Sequence, residues 1–317
     1  DVRNKRDLLV ALEGVDVIYY FASETGVGQS QYEVVRYFDT NVTGAATLWE
    51  AIAESRAPLR KVILSSSRAV YGEGKFQCKE HGIVYPQGRE RRDLERHDWG
   101  VKCPVCQEPL QSLPTDEEAL VQPMSVYAQT KAFQEQICEL MGHTYNVPVV
   151  ALRYFNVYGP RQSLSNPYTG VIATFCTRLL NGKRLAVYEE GLPVRDFVHV
   201  RDVVQANLLA LEYPGGPYAA FNVGTGTPLS LEAIAKAVCQ AMGKDDQYDL
   251  TTLHRIGDIF SCYADLTRSS SLLGYRPRYS FEQGIAELIP WVVEQAPVDR
   301  SHEAAGELQS KGLMLGE

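Results

Sequence analysis

The run Lys61-Val62-Ile63-Leu64-Ser65-Ser66-Ser67 limits what this chain can fold into more than any other stretch. Val, Ile and Leu stand in an unbroken row with no polar alternation. Such a row predicts a strand covered on both faces, as in a parallel sheet. The three serines make its carboxyl end polar, and in open α/β sheets ligands sit beyond the carboxyl ends of the strands. Val15 to Ala22 and Val147 to Arg153 read as two more strands of this kind. Helices are expected around Lys5 to Leu12, from about Tyr32 to Ser55, from Val126 to Tyr145 and from Phe281 to Val293. Strands alternating with helices give an α/β fold with a parallel sheet.

The helix from Val126 to Tyr145 carries the first chemical signal. Tyr127 and Lys131 are four apart, so they share a helix face. A free tyrosine has a pKa of about 10, too high for a base at neutral pH. An adjacent ammonium favours the phenolate. Lowering the value to about 7 needs roughly 4 kcal/mol of differential stabilisation. Taken alone, Y-x-x-x-K most often marks a solvated helix face. A strand-end hydroxyl such as Ser67 beside such a helix makes a proton-transfer group.

At 317 residues the chain can bury a substantial core. The composition, 45% hydrophobic and 22% charged, is that of a globular protein. A net charge of −8 argues against nucleic acid as a partner but leaves room for an anionic small molecule gripped by a few local arginines. No run of about 18 apolar residues predicts a membrane span. Seven unevenly spread cysteines do not form a secreted disulfide framework, so a reduced, cytoplasmic setting is expected. Cys138, Cys176, Cys239 and Cys262 lie in apolar surroundings and read as small core residues.

The insert from Glu73 to Thr115 is polar, with little periodicity. Cys78-Lys79-Glu80-His81 and Cys103-Pro104-Val105-Cys106 within it have the spacing of a zinc clip, with His97 as a spare ligand. Four ligands would order a loop too long to stand without structure of its own. They would leave no coordination position for catalysis. The alternative is a mobile insert with unliganded thiols. Residues 297–317 are polar and read as a flexible tail.

Several motifs together resemble the extended short-chain dehydrogenase/reductase family, and within it the nucleotide-sugar epimerases. Ser67 stands three before Val70-Tyr71-Gly72, and Tyr127 and Lys131 complete a Ser-Tyr-Lys set. Thr40-Asn41-Val42-Thr43-Gly44, Leu152-Arg153-Tyr154-Phe155-Asn156-Val157-Tyr158-Gly159-Pro160, Arg195-Asp196-Phe197-Val198-His199-Val200-Arg201-Asp202 and Arg255-Ile256-Gly257-Asp258 match further family motifs. The resemblance runs from Asp1 to about Trp291. It implies a Rossmann-type doubly wound sheet with NAD bound over residues 1–160, and a smaller substrate-binding lobe made mainly of residues 161–296. It implies cofactor contacts from Asp1, Val2, Phe21, Ala22, Ser23, Asn41, Ser65, Tyr127, Lys131 and Tyr154. Substrate contacts fall to Val27, Ser67, Asn156, Asn166, Arg195, Arg255 and Asp258, with the two arginines on the diphosphate. His199 reads as structural. The family's G-x-x-G-x-x-G phosphate loop, in the βαβ half preceding Asp1 in the family pattern, does not occur in these 317 residues.

The activity implied is NAD-dependent epimerisation of a nucleotide-diphospho-sugar at C4, in a homodimer. Nucleotide-sugar 4,6-dehydratases place Asp-Glu after the catalytic hydroxyl residue, where this chain has Arg68-Ala69. The Gly26-Val27-Gly28-Gln29-Ser30 loop, the cysteine insert and Ser165 to Val171 look most like dTDP-L-rhamnose 4-epimerases. UDP-hexose substrates remain the alternative, and a non-catalytic nucleotide- or partner-binding protein is the reading from another class.

Overall fold

The computed structural model describes residues 1–168 and 170–316. Helix α1 (Lys5–Ala11) and strand β1 (Val17–Tyr20) are followed by the short helices α2 (Val27–Ser30) and α3 (Val34–Tyr37), then α4 (Gly44–Ser55) and β2 (Lys61–Ser67). The insert holds β3 (Phe76–Cys78), β4 (Gly82–Val84), α5 (Arg91–Leu94) and β5 (Gln111–Ser112). Next come α6 (Val126–Tyr145), β6 (Val149–Tyr154), β7 (Asn156–Tyr158), α7 (Val171–Leu180), β8 (Leu185–Val187), β9 (Val194–His199), α8 (Val200–Glu212) and β10 (Tyr218–Val223). The chain closes with β11 (Pro228–Ser230), α9 (Leu231–Ala241), β12 (Tyr248–Leu250), β13 (His254–Arg255), β14 (Ser261–Cys262), α10 (Phe281–Val293), α11 (Ser301–Ser310) and β15 (Met314–Leu315).

The central sheet is parallel, in the order β1-β2-β6-β10. Successive side chains of a strand point to opposite faces, so β2 and β6 feed two cores. Val62, Leu64, Val149 and Ala151 pack with Trp49, Ile52 and Cys138 under α4 and α6. Ile63, Val150 and Leu152 pack with Val203, Ala206 and Ala210 under α8. A second lobe is built from the mixed sheet β11-β9-β14, with β7 also paired to β9, and from α7, α9 and α10 around Phe175, Phe197, Ile234 and Leu288.

Three expectations need correction, and the insert is more ordered than its mobile alternative. The boundary at residue 160 is not clean: β10 and α8 return to the first lobe, because β6 needs a parallel partner and Tyr218 to Val223 supplies an apolar one. The helix expected over 32–55 is broken by a π-helical turn at Phe38–Thr43, which carries the buried Asn41. Such turns are frequent at functional sites. The insert has structure of its own, with β3 pairing both β4 and β5. The tail is not frayed: α11 buries Ala304 and Leu308, and β15 pairs with β13.

Helix α6 is set against the sheet by caps and by a buried ion pair. Ser125 caps its start, accepting from the Ala128 amide at 3.1 Å, and Asn146 ends it in the left-handed region at φ 55°. Inside, Arg153 on β6 pairs with Glu135 on α6 at 2.7 Å, both side chains 7% exposed. Ser66 on β2 donates to the same carboxylate, and Arg153 donates to the Tyr71 hydroxyl at 2.9 Å. Tyr71 in turn donates to Asn222 on β10 at 2.7 Å. Removing one partner of a buried pair strands the other charge. Arg153→Met should therefore cost about 3–5 kcal/mol of unfolding free energy in urea titration; a loss below about 1 kcal/mol would mean that solvent reaches the pair.

Candidate active site

A cavity of about 510 Å³ lies between the lobes. Arg68, Ala69 and Gly72, just past β2, and Ser125 and Ala128 of α6 line it from the first lobe. Asn156, Tyr188, Arg195, Arg255 and Asp258 line it from the second, while Ala304 and Leu308 of α11 close one wall. The C-terminal segment is thus part of the site, which its polar sequence alone did not signal.

Ser67 ends β2 in extended conformation and caps the following turn, accepting from the Ala69 amide at 3.2 Å. Burial pushes the Tyr127 phenol above the ordinary tyrosine value, while a hydrogen bond with Ser67 and the Arg68 charge pull it down. The Arg68 charge is thus among the causes that favour the phenolate, a residue the helix spacing did not single out. The Lys131 side chain runs toward the end of β1, where its ammonium donates to Gln134 Oε1 at 2.8 Å and Ser23 Oγ at 3.4 Å. Burial lowers that ammonium from 10.5 to about 8. Arg68 stood in plain view beside Ser67, but no local pattern tells where a long side chain will point.

Of the other residues expected at a cofactor, Phe21, Ala22 and Ser23 follow β1, Ser65 lies on β2 and Tyr154 ends β6. Asn41 accepts from the Glu24 amide at 2.7 Å and Ser23 Oγ at 3.1 Å, and donates to Thr130 at 2.9 Å. It thereby ties the loop after β1 to α6. Ala22 packs on the α4 side of the sheet, Phe21 is 53% exposed, and Ser65 is buried on β2. Tyr154 lies opposite Ser67 in the β2–β6 register, and its hydroxyl pairs with Asn207. Val2 packs beside Gly44, and Asp1 forms an exposed ion pair with Arg3.

The residues expected at the substrate fall into two groups. Val27, Asn156, Arg195, Arg255 and Asp258 reach the cavity; Ser67 and Asn166 are not among the residues that line it, nor are Tyr127 and Lys131. Asn166 is exposed and accepts from the Tyr168 amide at 3.0 Å, leaving Pro167 and Tyr168 to line the wall. Thr169 of the same motif lies outside the described residues. The buried Asn156 Oδ1 has no hydrogen-bond partner among the described residues. Arg195 donates to the carbonyls of Val194, Ile259 and Phe260, and no carboxylate among the described residues pairs with it by contact. Burial, with Arg68 nearby, lowers its guanidinium to about 10. Arg255 is held by Asp258 at 2.8 Å, with its guanidinium 5.8 Å from the centre of the Tyr188 ring. Of the four arginines that line the cavity, Arg178 and Arg255 have carboxylate partners and Arg68 and Arg195 have none among the described residues, a set with the charge to attract an anion.

His199 is buried with neither ring nitrogen hydrogen-bonded among the described residues, and lies 4.4 Å from the Tyr279 ring. It stands outside the residues lining the cavity. In the insert, the ligand atoms of Cys78, His81, Cys103 and Cys106 all lie within 4.8 Å of one another. His97 is not among them; it stacks on Trp99 at 5.4 Å.

Residues 1–90 and 103–224 match the NAD dependent epimerase/dehydratase family. The chain belongs to that family. It is an enzyme of the extended short-chain dehydrogenase/reductase type that acts on nucleotide sugars. The dTDP-L-rhamnose 4-epimerase of Burkholderia thailandensis is 34% identical to it over 281 residues, 88% of this chain and 76% of the relative. Among solved structures, the UDP-glucose 4-epimerase of Thermotoga maritima with UDP-glucose superposes with a TM-score of 0.74 at 26% identity, covering 93% of this chain and 83% of that one. A dTDP-glucose 4,6-dehydratase from Streptomyces venezuelae with NAD bound gives 0.74 at 26% identity, covering 93% and 78%.

The depressed Lys131 ammonium has a consequence for stability. Between about pH 8 and 10.5 the unfolded chain holds a proton that the folded enzyme lacks, so this group's contribution to stability grows with pH across that window. The urea midpoint difference between the wild type and Lys131→Met should therefore rise from pH 8 to 10. Parallel profiles for the two proteins would place the ammonium in solvent.

Proposed function

We propose that the enzyme inverts C4 of a nucleotide-diphospho-sugar through a 4-keto sugar, with NAD as cofactor, and that its substrate is dTDP-L-rhamnose, giving dTDP-6-deoxy-L-talose. The observation that carries epimerisation over dehydration is the chemistry of the cavity wall. Arg68 and Ala69, the two residues after Ser67, both line it, and its only carboxylate among the described residues, Asp258, is tied to Arg255. Elimination of water across C5 and C6 needs a further acid and base. A guanidinium and a methyl group supply neither at neutral pH.

The dTDP-L-rhamnose assignment is supported by the Burkholderia relative and by Val27, Ala69, Met124 and Ala128, an apolar lining suited to a 6-deoxy sugar. NAD is supported by its presence in the Streptomyces dehydratase and by a buried lysine ammonium at the end of β1. Asp1, Val2, Phe21, Ala22, Ser23, Asn41, Ser65 and Tyr154 would hold it. NAD held there would supply a hydride acceptor for C4 and a donor to its opposite face. Tyr127 accepts the proton of the C4 hydroxyl and gives it back, Ser67 hydrogen-bonds that oxygen, and Lys131 holds the nicotinamide ribose. Asn156, Arg195 and Arg255 keep the diphosphate in place while the keto sugar turns, so the reaction stays effectively unimolecular.

A zinc ion on Cys78, His81, Cys103 and Cys106 belongs to this proposal as a structural ion, since four protein ligands leave no open position. A homodimer is also proposed; exposed Val35 on α3 and Leu140 on α6, two packed helices, leave apolar surface for a second copy. Seven free thiols suit a reducing, cytoplasmic setting.

Incubation with dTDP-L-rhamnose should produce new anomeric NMR signals for dTDP-6-deoxy-L-talose; turnover of UDP-glucose alone would reassign the sugar. Tyr127→Phe should lower kcat by a factor of about 10²–10⁴ with thymidine nucleotide affinity unchanged. Because Arg68 pulls the phenol down, Arg68→Gln should move the rising limb of the kcat profile to higher pH. An unmoved limb assigns it to another group.

A further inference from the structure

The insert that interrupts the family match over residues 91–102 also reaches the anion end of the cavity. Cys78 Sγ lies 3.5 Å from His81 Nδ1 and 3.6 Å from Cys106 Sγ, and Cys103 Sγ lies 3.7 Å from His81 Nδ1. Tetrahedral zinc with Zn–S of about 2.3 Å and Zn–N of about 2.1 Å has S···S edges of about 3.8 Å and S···N edges of about 3.6 Å. The separations therefore fit a metal tetrahedron, and they far exceed the roughly 2.05 Å of a disulfide. Each ligand pair sits on a tight turn. Cys78 pairs with Gly82 across the β3–β4 turn, and the Gln107 amide donates to the Cys103 carbonyl at 3.0 Å. Leu94, Trp99 and Val101 are buried, but they join none of the main hydrophobic clusters among the described residues. So small a core needs a cross-link.

The clipped insert then grips residues 258–261. Arg89, its side chain 2% exposed, donates to the Asp258 carbonyl at 3.0 Å and pairs with Glu189. Glu73 accepts from the amides of Phe260 at 2.7 Å and Ser261 at 3.2 Å. The carbonyls of Ile259 and Phe260 in that segment hold Arg195, and Asp258 holds Arg255. Trp99 donates to Glu190 at 2.9 Å and meets the His254 ring edge-on at 5.4 Å.

We infer that a zinc ion bound by Cys78, His81, Cys103 and Cys106 makes the insert a rigid brace that, through Arg89 and Glu73, positions the Arg195 and Arg255 guanidinium groups for the substrate diphosphate. This deepens the proposed function and rests on its reading of those two arginines. Arg89 is a positioning residue: it touches the segment that carries the clamp.

The purified protein should contain about one zinc per chain by mass spectrometry. Calorimetric titration with thymidine 5′-diphosphate should show affinity falling about tenfold after chelation and recovering when zinc is restored. Arg89→Met, with zinc content unchanged, should weaken the same ligand about tenfold and raise KM while kcat stays within about twofold; Arg89→Lys should recover part of the loss. Protein without zinc overturns the clip. Zinc-depleted protein and Arg89→Met that bind as tightly as the wild type overturn the brace and leave the proposed function standing. Zinc-loaded wild type that binds no thymidine 5′-diphosphate overturns the clamp reading and this inference with it.

Discussion

The Glu135–Arg153 ion pair ties together the elements that hold the Ser-Tyr-Lys set. It sits where α6, β2, β6 and the turn after β2 converge, and every element holding the Ser-Tyr-Lys set touches it. Ser66 precedes Ser67, Glu135 lies one helical turn beyond Lys131, and Arg153 precedes Tyr154. A buried ion pair adds little net stability by itself, because desolvation offsets the attraction. It does make misplacement costly, since shifting α6 would leave a charge alone in the interior. That fixes helix register against the sheet.

The electrostatics of the cavity follow from this frame. Burial holds the Tyr127 phenol up, and Ser67 and the Arg68 charge pull it part of the way back. Lys131, itself depressed by burial, faces the loop after β1. The helix thus offers two groups with separate duties. At the other end of the cavity, Arg195 rests on carbonyls and Arg255 on one carboxylate, which leaves the first guanidinium with charge to spend on an anion.

The second lobe is less independent than a lobe built by itself would be. Its anchor segment, residues 258–261, is gripped by Glu73 and Arg89 of the insert, which the chain emits directly after Ser67. The same excursion that interrupts the first lobe therefore supports the second. The C-terminal helix closes the cavity in a similar way: Tyr32, Tyr168 and Glu307 meet at its rim, joining α11 to the loop after α2.

Much of this was legible in the sequence because it depends on short-range rules. An unbroken apolar row specifies a strand buried on both faces, so β2 and β6 were readable, as was α6 with its 20 residues from Val126 to Tyr145. Four-residue spacing placed Tyr127 and Lys131 on one helix, and two short spacings marked the cysteine and histidine turns. The direction of long side chains was not legible: Arg68 turning into the cavity, Lys131 to Ser23, and Arg89 to Asp258 each depend on partners far away in sequence. The order of the tail also escaped the sequence, because α11 is polar along most of its length and is held by surface that only the folded lobes provide. Local periodicity and spacing are properties of the chain itself, whereas burial and charge proximity exist only once distant segments meet.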